Sequence, residues 1–123
     1  MTEKDIETRL REEIKKTGGT AYKFVSPGHN GVPDRMICLP GGRVVFVELK
    51  APGKKSSQAQ LRAQEKLLTL GFIVIRDVDS YDKVLEVVRM CLDLKYDSDG
   101  YHYRKNLAII RANGGTCYGQ TKE

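Results

Sequence analysis

Long hydrophobic runs are missing from this chain of 123 residues: Val44-Val45-Phe46-Val47 is as long as any, far short of the roughly 20 apolar residues that a membrane helix needs. Cysteine is scarce. Cys38, Cys91 and Cys117 are odd in number, widely spaced and without a CxxC pair, which excludes a disulfide framework and a cysteine zinc site. The start, Met1-Thr2-Glu3-Lys4-Asp5, is charged at once and predicts no secretory signal. With the sparse cysteines it predicts a cytoplasmic protein. No internal repeat or low-complexity tract is present. Gly53-Lys54-Lys55-Ser56 lacks the first glycine of a P-loop and has lysine where Ser or Thr is required. Asp97-Ser98-Asp99-Gly100 is too compact for a calcium loop.

What is present is the balance of a soluble globular domain, 40% hydrophobic and 30% charged, in a length that suits one core. The net charge of +5 is concentrated. Arg43, Lys50, Lys54, Lys55, Arg62, Lys66 and Arg76 stand against only Glu48 and Glu65, while the other segments sum to zero. Such a basic stretch suits a polyanionic partner, and equally a solvated surface.

The spacing of Ile6, Leu10 and Ile14 predicts a helix over Glu3–Thr17, with Thr2 and Asp5 as a capping box and Gly18-Gly19 as its stop. Strands are predicted over Thr20–Ser26, Asp34–Leu39, Arg43–Lys50 and Phe72–Arg76. A loop fills Pro27–Pro33, and Pro40-Gly41-Gly42 forms a hairpin turn. A second helix over Ser57–Leu70 places Leu61, Leu67, Leu68 and Leu70 toward the core. A third, capped by Ser80, places Val84, Leu85, Val87 and Val88 inward. The order αβββαβα, with one hairpin and one helical crossover, predicts an α/β fold with a mixed sheet flanked by helices. The end, from Gly114 to Glu123, reads as loose.

The strand Arg43–Lys50 is apolar enough to be buried on both faces, yet it ends in Glu48 and Lys50, which a period of two puts on one face. Taken alone, a half-solvated ion pair explains them. The hairpin changes this, because its turn lies midway between Asp34 and Glu48 and brings the two carboxylates together. Two carboxylates and a lysine at one sheet end form an oxygen-ligand site for Mg²⁺ or Mn²⁺, to which the Leu49 carbonyl adds a further ligand.

These residues resemble the PD-(D/E)XK nuclease superfamily, whose restriction-endonuclease-like core has the element order read above. Gly31-Val32-Pro33-Asp34-Arg35, Pro40-Gly41-Gly42, Val45-Phe46-Val47-Glu48-Leu49-Lys50 and Ser57-Gln58-Ala59-Gln60 are similar, within it, to the virus-type replication-repair nuclease (VRR-NUC) domain. The likeness covers about residues 3–90. It implies a nuclease core over residues 1–91 and a C-terminal extension, 92–123, for dimerisation or DNA contact. It further implies that Asp34 and Glu48 bind metal, that Lys50 is catalytic, and that Gln60 and a helix-one glutamate, Glu3 or Glu7, support the site.

The expected activity is metal-dependent endonuclease cleavage of DNA. The resemblance points to a homodimer acting on branched DNA in the manner of Holliday-junction resolvases. Flaps, single strands or RNA as substrate, and a non-catalytic DNA-binding module, are the alternatives. The loop Pro27–Val32 with His29, and the basic residues Lys54, Lys55, Arg62 and Lys66, are the expected backbone contacts. Tyr101, Tyr103, Leu107, Ile109, Ile110 and Tyr118 are expected at an interface, and equally as residues that pack back onto their own sheet.

Overall fold

The computed structural model describes residues 1–94 and 117–118. Helix α1 (Glu3–Lys16) starts at the predicted box: the Asp5 N–H donates to Thr2 Oγ1 (3.2 Å) and the Thr2 N–H to Asp5 Oδ2 (2.7 Å). Strands β1 (Thr20–Lys23), β2 (Arg35–Leu39) and β3 (Arg43–Leu49) follow, then α2 (Gln58–Thr69), β4 (Ile73–Val78), α3 (Tyr81–Leu94) and β5 (Cys117–Tyr118). They form one five-stranded sheet in the order β1-β2-β3-β4-β5. β3 and β4 pair in parallel, and all other neighbours are antiparallel. This is the mixed sheet that the element order predicts, flanked by helices on both faces.

Alternation along the strands sorts side chains into two layers. Ile37, Val45, Val47, Leu49, Ile73 and Ile75 face α1 and α3 and meet Ile6, Leu10, Ile14, Val84, Val87 and Cys91 in a closed core. Phe46 and Val74 face the other way and meet Leu68 of α2, with Phe24, Met36 and Leu67 around them. Phe46 anchors this second layer through ring contacts with Phe24 (5.3 Å between centroids) and Phe72 (5.4 Å).

Several expectations are corrected. β1 ends at Lys23 rather than Ser26: the Phe24 N–H donates to the Asp34 carbonyl at 2.7 Å, and the chain then leaves the sheet, with Val25 exposed. Leu70 is 65% exposed because it caps α2 beyond the sheet. Leu68 is buried as expected, and the inward stripe of α2 passes through it along Gln60 and Gln64, of which Gln64 is buried. Leu85 is 42% exposed, since Val84, Val87 and Cys91 define the buried face of α3 and turn it outward. α3 runs to Leu94. Within the segment read as loose, Cys117 and Tyr118 pair with Ile75 and Val74. The tail residues expected at an interface, from Tyr101 to Ile110, and the Asp97–Gly100 turn lie outside the described residues.

One irregularity bears on the site. Val47 pairs with Ile75 and Leu49 with Val78, so Arg76 and Asp77 together oppose the single residue Glu48. This is a β-bulge, and Asp77 takes a left-handed φ of 57° there, which a non-glycine residue seldom adopts. The Asp77 carboxylate accepts from the Ser56 N–H (3.0 Å) and Oγ (2.9 Å), and Ser56 Oγ accepts from Gln64 Nε2 (3.2 Å). The bulge thereby fixes the connection that launches α2.

Candidate active site

The β2–β3 pairing sets Arg35 opposite Val47. Continued by one residue it sets Asp34 opposite Glu48, at a spacing where cross-strand side chains touch. Asp34 Oδ2 accepts from the Leu49 N–H at 2.9 Å. Glu48 is 1% exposed. Its Oε2 accepts from Gln60 Nε2 at 2.7 Å and lies 3.8 Å from Lys50 Nζ, while its buried Oε1 has no hydrogen-bond partner among the described residues.

Gln60 holds this side of the site together. Ser57 caps α2, and its Oγ accepts from the Gln60 N–H at 3.2 Å. In return, Gln60 Oε1 accepts from the Ser57 N–H (2.7 Å) and from Lys50 Nζ (2.8 Å). One amide thus completes a capping box and bridges the Glu48 carboxylate to the Lys50 ammonium. Its approach is set by the loop before β2. A Cβ on Gly31 would stand 2.5 Å from the Ala59 carbonyl oxygen and 2.8 Å from the Gln60 nitrogen, and Gly31 has φ 85°. Only glycine fits there, so the loop carrying Asp34 packs backbone-to-backbone on the first turn of α2.

The electrostatics of the pair are unfavourable without a cation or proton. Burial raises the Glu48 carboxyl to about 8, with a further rise from the Asp34 charge and a smaller one from Glu3; Lys50 opposes the shift. Burial also raises Asp34, against the Leu49 N–H and the charges of Lys50 and Arg35. Desolvation and like charge disfavour two ionised carboxylates here. Among the described residues no third His, Cys, Asp or Glu joins them in a three-ligand cluster.

The helix-one glutamates separate. Arg35, one residue from Asp34, points to the opposite sheet face, where its buried guanidinium forms an ion pair with Glu7. Glu3, one turn earlier, is exposed, and its charge is felt at Glu48. Arg35 and Gln64 had no role in the sequence reading. Their signal was faint: a charged residue at an inward position of β2, and a glutamine in step with Gln60 and Leu68. Asp77 was equally hidden, since a bulge leaves no periodic mark beyond polar residues breaking an apolar strand.

The expected DNA contacts divide as well. His29, Arg62 and Lys66 line a groove of about 530 Å³ between the 24–32 segment and α2. His29 Nδ1 is 3.2 Å from Ser26 Oγ. Lys54 and Lys55 stand exposed on the connection between β3 and α2, outside that groove. No described helix is long and apolar enough to cross a membrane.

No protein-family model matches the chain. It is 47% identical over 89 residues to "Putative nuclease p44" of Acyrthosiphon pisum secondary endosymbiont phage 1, an overlap of 72% of this chain and 96% of that protein. A solved structure of a VRR_NUC domain matches it with a TM-score of 0.65 at 28% identity, covering 72% of this chain and 97% of that one.

Proposed function

From membership of the VRR-NUC nuclease family, to which this chain belongs, we propose that it is a cytoplasmic, metal-dependent endonuclease that hydrolyses phosphodiester bonds in branched DNA. The observation that carries metal dependence is the buried Oε1 of Glu48: an acceptor without a partner among the described residues, on a carboxyl opposite a second carboxyl. A hard divalent cation answers both needs, and one or two carboxylates are the usual protein share of a Mg²⁺ shell. Asp34, Glu48 and the Leu49 carbonyl would hold Mg²⁺ or Mn²⁺, which when bound supplies Lewis acidity toward the scissile phosphate and the attacking water.

The rest is the chain's own work. Lys50 brings a positive charge whose ammonium is aimed by Gln60 Oε1. Placed beside a phosphate it stabilises the negative charge that grows in the transition state, or it orients the water. Gln60 also fixes Glu48 Oε2, leaving Oε1 as the free acceptor. Asp34 is steadied by the Leu49 N–H. Glu3 adds negative charge at the edge of the site, and Glu7 holds Arg35 on the far face.

Four-way junctions as the preferred substrate, and a homodimer as the acting species, complete the proposal. A four-way junction has two-fold symmetry and needs two related incisions, which a symmetric dimer with two sites supplies. A cleavage panel of duplex, flap, fork, four-way junction and RNA, in Mg²⁺, Mn²⁺ and EDTA, tests it. Paired nicks in junction strands are expected with metal and none with EDTA. Full activity in EDTA would overturn metal dependence. Light scattering should give twice the chain mass of 13.8 kDa, and a monomer that prefers flaps would overturn the junction assignment.

A further inference from the structure

The groove beside the active site has a chemistry that a phosphate backbone alone does not use. Phe24, Val32, Ala59, Ala63 and Leu67 give it apolar walls, while Arg62 and Lys66 stand at one side. Neither cation makes a hydrogen bond or ion pair among the described residues. The groove adjoins the site through both of its own walls: Val32 lies two residues before Asp34, and Ala59 immediately precedes Gln60. Gly31, next to Val32, packs closely on the backbone of Ala59 and Gln60. A double helix keeps its base faces stacked inside and exposes only backbone and base edges. An unpaired nucleotide offers an apolar base face, a polar base edge and an anion together.

We propose that this groove receives the base of an unpaired nucleotide next to the cleaved phosphate, with Arg62 and Lys66 on its backbone. The proposal rests on the nuclease reading and sharpens its substrate class to DNA that presents a single unstacked base at the cut. Phe24 supplies a ring for stacking and is itself backed by Phe46. The side chains of Ser26 and Asn30 line the same groove and meet the base edge. Charge complementarity selects a nucleotide over an apolar peptide, because the cations sit on the side of the groove formed by α2, whose first turn also carries Gln60.

Binding can be read without cleavage. A short DNA duplex with one unpaired deoxyadenosine and the same duplex with an abasic residue at that position are titrated with the wild-type protein in EDTA, by fluorescence anisotropy. The base-bearing duplex should bind about tenfold more tightly, the size of one base-stacking contact. Ala63→Leu keeps a good helix former and fills the groove, so it should bind the two duplexes equally. Equal binding of the two duplexes by the wild-type protein, or no binding of either, would overturn the proposal, and so would an Ala63→Leu variant that is folded by circular dichroism and keeps the difference. The wild-type comparison decides even where that variant fails to fold. Absence of cleavage in the Mg²⁺ panel would count against the nuclease reading and leave a tenfold binding difference standing.

Discussion

The two faces of the sheet are built to different ends. Against α1 and α3 the layer is closed and apolar, with Ile6, Leu10, Ile14, Val45, Val47, Ile73 and Val84 all at 0% exposure. Against α2 the buried apolar side chains among the described residues are Phe46, Leu68 and Val74, and the same face buries Glu48 and Gln64 and holds Lys50 and Gln60. The first face supplies burial, at roughly 25 cal/mol per Å² of apolar surface. The second uses part of its interior for polar groups that cost free energy to bury. The neighbouring residues Asp34 and Arg35 show the division at the smallest scale, since one joins the site and the other joins an ion pair on the far face. Stability and chemistry therefore separate by strand parity.

The strongest way to test that separation is on the α2 face. Glu48→Gln or Asp34→Asn should lower cleavage at least about a hundredfold, beyond the loss usual for a residue that merely supports a metal ligand. Folding should survive, as the amide keeps the shape and removes a buried charge. A Glu48→Gln protein that cleaves at wild-type rate would refute the site. On the other face, Leu10→Ala should cost about 2–5 kcal/mol in urea unfolding, while the folded fraction cleaves normally. A smaller effect is expected at the two helix-one glutamates. Glu7→Gln strands the Arg35 guanidinium and should cost about 1–3 kcal/mol, whereas Glu3→Gln should leave stability unchanged and alter the metal concentration needed for half-maximal cleavage.

The pH dependence sharpens the comparison further. Glu48 sits at about 8 in the folded protein against 4.5 ordinarily. The folded state therefore binds the proton more tightly, and metal-free stability is greatest below the ordinary value and falls as pH rises toward about 8. Melting temperatures without metal should drop between about pH 5 and pH 8, Mg²⁺ should restore them at the upper end, and Glu48→Gln should flatten the profile. The gentlest test is neutralising Lys54, Lys55, Arg62 and Lys66 together. This should weaken binding to all DNA shapes and reduce its salt dependence, since each lost phosphate contact releases about one fewer counterion.

Much of the fold was legible because it follows from periodicity and turns. The Ile6-Leu10-Ile14 stripe, the Thr2–Asp5 cap and the glycine hairpin each dictate a local geometry whatever lies around them. The opposition of Asp34 and Glu48 was legible for the same reason, as it needs only a turn position and a strand period. The inward stripe of α2 was legible only at Leu68, since leucines normally mark the buried face and here two glutamines share it with one leucine. The pattern shows that one sheet end is polar, but not that α2 turns Gln64 inward beside Ser56 until the sheet is assembled. Likewise, Glu3 and Glu7 are equivalent on a helix wheel and differ only once Arg35 is seen across from one of them. The bulge at Asp77 lies beyond periodic reading, because it is a departure from a period.

The hairpin sets a rule for how this protein can vary. Leu39 pairs with Arg43 across Pro40-Gly41-Gly42, and the register then runs unbroken to Arg35 and Val47. A length change absorbed inside the turn leaves Asp34 beside Glu48. A single residue gained or lost that slides β2 along β3 moves Asp34 to the neighbouring position and turns it toward the apolar layer. Residues added in matched pairs, one to each strand, lengthen the hairpin away from the site without disturbing it. Variants that lengthen this hairpin and still cleave should therefore carry their additions at the distal turn or symmetrically in the two strands, and an unmatched insertion within a strand should be the least tolerated.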